Sequence, residues 1–455
     1  MTESFPIRGT WWLAGNDERR VAGTLQTDRS PATLTLELDG TVRPTPAEDF
    51  GDLPTILGRT VENSEITLCD TRNTGRQQTG LGAGMMERET VSARFGLLGG
   101  HFPQGSAATF SSYAFRTTHL AEWASRGYMI GSEDHQDDVI NLSVKIPKPV
   151  ELRLPWGRVS IRYGWGQSTG LEEATLRRPV SWILDLDAPQ TVDTVTNSYL
   201  WPLEQFLSFA CDGRVTAEEV TMLVTRPGPI GFAEIAVLRP PRSAPPRRHP
   251  RGRFEMLFAL ADVEDRLESM LQTWFENLDL LRSSLDLLFG LVLGPDMYLE
   301  SRFLLVAQGI EVFHRRRQGG VIEPVAEWKQ RISRVTAPLS RTDAAWVKEK
   351  LSWSNELTLH KRIEQLLTAV QETASNFLRP EFVKVFKATR NYYTHFDLVQ
   401  YQKAAHGEDL YWLTEECFAL MQLILLNMLG ITATESWTWM RRTQRVQNLV
   451  ARRSS

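Results

Sequence analysis

The sequence predicts an α+β chain of more than one domain, with a β-rich N-terminal region followed by an all-α helical bundle. Three observations carry this. At 455 residues the chain exceeds what one ordinary core organises, so two or three domains are expected. Short runs of alternating apolar and polar residues, parted by turn residues, fill the first half. Beyond a stretch rich in proline and arginine, the apolar spacing becomes that of helices.

In chain order, "GTLQTDRSPATLTLELDG" puts Leu34, Leu36 and Leu38 on one face of a strand and closes on the turn pair Asp39-Gly40. "NSEITLCD", "VELRL" and "VSIRYGWG" repeat the pattern, and "EEVTMLV" and "FAEIAVL" complete it. "DTRNTGRQQTGLGAGMM" reads as a loop. So do the Gly-rich "GLGAGMM" and "LLGGHF", which lack the GK[ST] ending of a phosphate loop. Trp11, Trp12, Trp156 and Trp165 lie in strand-like surroundings, where core packing explains them more simply than a stacking platform for sugars or bases.

The β-rich region spans 1–238. Residues 239–253, "RPPRSAPPRRHPRGR", form the boundary: prolines prevent regular structure, and six arginines stand without an acid. This is a stiff solvated linker, a reading compatible with an RNA-contacting arm. The helical domain spans 254–455. Leu260, Val263, Leu267, Met270, Leu271 and Trp274 make one apolar stripe at helical spacing. Further helices precede "GPD" at 294–296, run from Met297 to Arg317, and lie between Ala344 and Leu378 with a break inside. Pro380 sits in the first turn of the next helix, and another covers Trp412 to Leu429.

Apolar and charged contents of 42% and 23% are globular, which excludes wholesale disorder. A net charge of −4 gives no global sign of a nucleic-acid binder, so any such role needs a local basic surface. Cys69, Cys211 and Cys417 are far apart and form no CxxC pair, which suits a reducing cytoplasm rather than a disulfide or zinc framework. No secretory signal is evident. The apolar run "CFALMQLILLNMLG" is too short to span a bilayer and reads as a buried helix. A soluble cytoplasmic protein without membrane partners is expected. The acidic "GSEDHQDDV", with Asp134, His135, Asp137 and Asp138, lacks a partner cluster and reads as solvated, so no metal site is expected.

The six residues "RNYYTH", Arg390 to His395, end the helix that follows Pro380. On a wheel of about 100° per residue, Phe382, Val385, Phe386, Thr389, Tyr392, Tyr393 and Phe396 share the packed face. Lys384, Lys387, Asn391 and His395 gather opposite, with Arg390 on a flank and no carboxylate among them. A guanidinium can hold a phosphate, and an imidazole can move a proton near neutrality. The wheel alone favours an ordinary solvated cationic face.

The stretch resembles the RxxxxH signature of HEPN ribonucleases, and "FLLVAQGIEVFHRRR" resembles an internal helix of HEPN domains from phage-defence proteins. "GTWWLAGNDERRVAGTLQT", followed by "LTLELDG", resembles the start of the ApeA family, which joins a β-rich sensor-like region to a C-terminal HEPN domain. The resemblance spans both halves in that order. It implies an anti-phage, abortive-infection endoribonuclease that cuts RNA without metal or cofactor, by 2′-OH attack leaving a 2′,3′-cyclic phosphate. Arg390 would hold the phosphate, His395 would move the proton, and Asn391 would support them. Lys384 and Lys387 are candidate RNA contacts, while Glu311 and His314 are candidates to line the cleft. The partners implied are RNA, transfer RNA or another structured RNA among them, a second copy through the HEPN domain, and a phage-derived trigger. The alternative is a non-catalytic HEPN module for dimerisation or RNA binding, with a protein- or glycan-binding β-rich half.

Overall fold

The computed structural model describes residues 5–29, 32–43, 52–79, 86–126, 129–134, 139–225, 232–240, 252, 255–293 and 297–454. It has a β-rich N-terminal region and an all-helical C-terminal region. Two compact units result, one of Met1–Glu204 with Val215–Pro250, the other of Gln205–Arg214 with Arg251–Ser455. Most of the Pro/Arg stretch, the "GPD" turn, the glycines of "GLGAGMM" and residues 135–138 of the acidic loop lie outside the described residues.

The first unit opens with β1 (Ile7–Leu13), β2 (Val21–Arg29), β3 (Ala32–Leu38), β4 (Asp52–Leu53) and β5 (Ile56–Thr60). The long β6 (Glu65–Thr79) and β7 (Met86–Leu98) follow, then β8 (Thr109–Thr117) and a single turn α1 (Leu120–Trp123). β9 (Met129–Asp134) and β10 (Val139–Val144) pair only with each other, before β11 (Val150–Leu154) and β12 (Gly157–Tyr163). β13 (Gly166–Thr169) and β14 (Ala174–Arg177) make a second separate hairpin. β15 (Val180–Thr191), α2 (Val192–Val195), α3 (Trp201–Ala210), β16 (Ala217–Thr225) and β17 (Phe232–Leu238) complete the order.

Antiparallel pairing in the order β7-β3-β2-β1-β5-β6 returns to β7, closing a six-stranded barrel. Closure removes free strand edges there. Its core is Ile7, Trp11, Leu25, Leu34, Leu36, Leu38, Ile66, Leu68, Val91 and their neighbours, so the Leu34/Leu36/Leu38 alternation is the inward face of β3. Trp11 is fully buried and donates its indole N–H to the Gly23 carbonyl at 3.2 Å. A Cβ at Gly58 would collide with the Trp11 ring, so a glycine is required beside it. From β7 the sheet continues out of the barrel as β17-β16-β8-β15-β12-β11.

Residues 70–79 are not a loop; they are the far half of β6, paired with β7 as far as Thr79↔Met86. Thr71 and Asn73 point inward there between exposed Arg72 and Thr74. Thr71 donates to the Pro54 carbonyl at 2.9 Å, and Asn73 bonds the buried Glu89 carboxylate. Polar residues on the inward face erase the apolar alternation that marks a strand. Core packing holds for Trp11 and Trp12, which are buried, but Trp165 is 66% exposed.

In the second unit, α4 (Leu260–Val263), α5 (Leu267–Glu276), α6 (Leu278–Leu293) and α7 (Leu299–Gln318) come first. α8 (Val325–Thr336) and α9 (Arg341–Lys350) form a hairpin, followed by α10 (Leu359–Thr368) and α11 (Gln371–Ala374). Then come α12 (Phe382–His395), α13 (Leu398–Tyr401), α14 (Gly407–Met428), α15 (Ala433–Met440) and α16 (Gln444–Ser454). The predicted Leu260-to-Trp274 stripe is buried throughout, but on two helices rather than one. Pro380 lies just ahead of α12, not in its first turn.

α7 is the hub, packed against α6, α10, α12 and α14. α14 is buried on every side from Leu413 to Leu426, and the buried Glu415 and Glu416 within it each meet arginine. Arg445 and Arg302 take Glu415, and Arg379 takes Glu416 at 2.7 Å and Asp409 at 3.0 Å. Such pairing is what makes a carboxylate tolerable in a core. The end of α3 belongs to this unit: Phe206 and Phe209 pack on Trp274, and Asp212 accepts from Gln422 at 2.9 Å.

Candidate active site

α12 carries the motif, and its packing explains the motif's layout. Phe382, Phe386, Thr389 and Tyr393 are buried as the wheel requires, while Val385 and Tyr392 are half-buried. Phe303 of α7 meets Phe386 and Tyr393 at ring distances of 6.0 and 6.4 Å. Phe396 departs from the expected face. It ends α12 in the left-handed region at φ 52°, and its ring is 67% exposed. The backbone turns there, which swings the ring off the packed side before Asp397 caps α13 through the Val399 amide at 3.0 Å.

Arg390 is half-buried, and its Nη2 stands 3.2 Å from Oε2 of Glu311 on α7. Thus a carboxylate does reach this surface, from a different helix. Glu311 also meets Arg315 at 3.5 Å, and Arg315 meets Glu356 at 3.3 Å. Asn391 is half-buried and His395 is exposed in the last turn. Asn391 and His395 are neighbours at i and i+4, whereas Arg390 lies about 140° from His395. Lys384 is ion-paired with Glu381 one turn earlier, and Lys387 is exposed.

Of the two residues expected from α7, Glu311 touches the motif and His314 does not. His314 is fully buried against α10, with Nε2 at 2.7 Å from Gln365 Oε1 and Nδ1 at 3.4 Å from Arg362. Burial, with Arg362 beside it, holds its imidazole below the usual histidine range.

His406 was not legible as part of this region. Its Nε2 lies 2.9 Å from the Tyr401 carbonyl, so that nitrogen carries the proton and Nδ1 accepts from the Tyr393 hydroxyl at 3.1 Å. Its ring stacks 4.4 Å from Tyr401 and meets Tyr392 at 5.2 Å. The tyrosines of the motif therefore lock the turn behind it. Beside His395, Phe396, Leu398, Val399 and Tyr401 form an apolar patch, each at least 50% exposed. Among the described residues no cluster of three or more potential ligands could hold a metal ion, and no helix is long and apolar enough to cross a membrane.

The helical unit is of the HEPN class: the model of the Apea-like HEPN domain matches residues 304–435, from within α7 to α15, including Glu311 and the whole motif. The model of ApeA N-terminal domain 1 matches residues 6–274, more than half of the chain and as far as α5. This chain belongs to the ApeA family. No curated protein and no solved structure matches it.

Proposed function

We propose that the protein is a phage-defence endoribonuclease whose helical unit cuts RNA without metal, while residues 1–238 sense infection or restrain the nuclease. The observation that carries this is the Arg390–Glu311 pair: a guanidinium oriented by one carboxylate on the helix that ends in an exposed His395. Glu311 engages only Nη2 of Arg390. The remaining N–H donors of the fork are suited to the non-bridging oxygens of a phosphodiester.

In the proposed reaction, His395 takes the proton of the ribose 2′-OH, the 2′-oxygen attacks phosphorus, and the P–O5′ bond breaks. The departing 5′-oxygen takes a proton from an imidazolium or from water. A 2′,3′-cyclic phosphate and a 5′-OH result, with Arg390 countering charge on the phosphorane and Asn391 orienting the groups. One helix offers a single guanidinium and a single imidazole, a sparse set for both proton transfers. The apolar patch at Phe396, Leu398, Val399 and Tyr401 supports a homodimer that places two motifs in one cleft.

Incubation with total RNA in EDTA, followed by mapping of the ends, tests this. Cyclic-phosphate ends that vanish in Arg390→Ala and His395→Ala are expected. Intact RNA under all activating conditions, with defence undiminished in His395→Ala, would leave the non-catalytic module as the reading.

A further inference from the structure

The α8–α9 hairpin stands apart from the bundle. Between Pro324 and Ser354 only Thr336 is buried, and the helices pack on each other. Its root, by contrast, is firmly made. Asn355 holds Glu323 through paired hydrogen bonds of 2.9 and 3.1 Å, and the Leu357 amide donates to Gly320 at 2.8 Å. Buried Arg362 donates to the carbonyls of Leu357, Gly319 and Gly320 at 3.0, 3.3 and 3.4 Å. The hairpin is therefore a defined arm on a rigid mount.

Its surface carries an excess of cations. The arm carries six basic residues, Lys329, Arg331, Arg334, Arg341, Lys348 and Lys350, against three acidic ones, in a chain of net charge −4. In the bundle, Arg266, Arg302, Arg379, Arg442 and Arg445 are all ion-paired. On the arm only Arg331 has an ion pair among the described residues, with Glu323 at 2.7 Å. Between the helices lies a groove of about 290 Å³ floored by half-buried Trp328, Ile332 and Leu351 and rimmed by Lys329 and Lys348, with no carboxylate in its lining. Trp346 and Trp353 are 59% and 77% exposed, and neither indole has a ring, cation or hydrogen-bond partner among the described residues.

The arm also springs from the candidate site. From Glu311, beside Arg390, α7 rises about 10 Å to Gln318. Glu356 at the root returns to Arg315, which touches Glu311. We propose that the arm grips single-stranded RNA next to the Arg390 site, with the unpaired lysines and arginines on phosphates and Trp346 and Trp353 stacking on bases. This rests on the ribonuclease reading for the identity of the polyanion. Free cations distributed along two helices suit repeated phosphates, and unpartnered indoles suit bases, whereas a single acidic peptide would use the groove alone.

The test uses full-length His395→Ala protein and a short fluorescein-labelled oligouridylate, read by anisotropy over a salt series. Lys329→Ala with Lys348→Ala should weaken binding severalfold and lower the log–log salt slope by about one per lysine. Trp346→Ala with Trp353→Ala should weaken binding about tenfold and leave the slope unchanged. All four positions are solvent-facing, and circular dichroism melting checks that the fold is kept. Equal affinity of every variant overturns the proposal. So does loss of binding confined to polyglutamate or anionic phosphatidylserine vesicles, which would mark a protein or membrane surface instead. Arm-dependent oligouridylate binding by a protein that never cuts RNA supports the arm and removes the nuclease. Normal RNA cleavage by all arm variants, with KM unmoved, does the reverse.

Discussion

Glu311 and Arg390, 79 positions apart in sequence, meet at 3.2 Å across the α7–α12 packing, and this pair fixes the direction of the motif's guanidinium. Glu311→Gln keeps the shape but removes the charge that orients Arg390. Cleavage by this variant should fall about tenfold to hundredfold in kcat with KM nearly unchanged. The pair is partly solvated, so stability should change by less than about 1 kcal/mol. A melting curve beside single-turnover kinetics separates orientation from folding.

Tyr393→Phe removes the hydroxyl shared by His406 Nδ1 and the Ala405 carbonyl but keeps the buried ring. Loss of about 1 kcal/mol is expected, since the buried Ala405 carbonyl and the half-buried His406 Nδ1 lose the one proton they share. Chemical denaturation of the variant measures it. Tyr392→Ala should also act mainly on stability, because its ring touches Tyr393, Tyr401 and His406.

Arg362→Met preserves bulk while leaving the Leu357 and Gly319 carbonyls at the arm's root without the guanidinium donor; Gly320 keeps the Leu357 amide. Destabilisation of about 3 kcal/mol or more is expected. Limited proteolysis should then cut first between Pro324 and Ser354, with the barrel strands protected. Protection of the arm equal to wild type would show that the mount does not depend on Arg362.

Burial pushes the Glu416 carboxyl up to about 6 from an ordinary 4.5, against the opposing pull of Arg379. The folded protein thus holds this proton where the unfolded chain has released it. The group's contribution to stability is present below about pH 4.5 and is lost as pH rises through about 6, amounting to about 2 kcal/mol at most. Urea titrations across this range should show a decline that Glu416→Gln flattens.

Much of this was legible because local pattern and burial agree. The Leu34/Leu36/Leu38 face, the α7 helix and the motif's buried Phe386, Thr389 and Tyr393 follow from spacing alone, and α14 from its long apolar run. α3 escaped because it is buried on nearly all sides, which leaves no amphipathic contrast to read. The far half of β6 escaped for the opposite reason, its inward residues being polar. At the site, the motif lies on one helix and could be seen. Glu311 came only with the family resemblance, and its ion pair with Arg390 depends on two helices meeting.

Phe396 ends α12 at a cost. A non-glycine residue in the left-handed region costs about 1 kcal/mol, and most of its ring faces water. For an isolated chain, glycine would end α12 at less strain and expose less oil. A position frustrated in this way, one residue past His395, suits the contact of the proposed dimer better than open solvent.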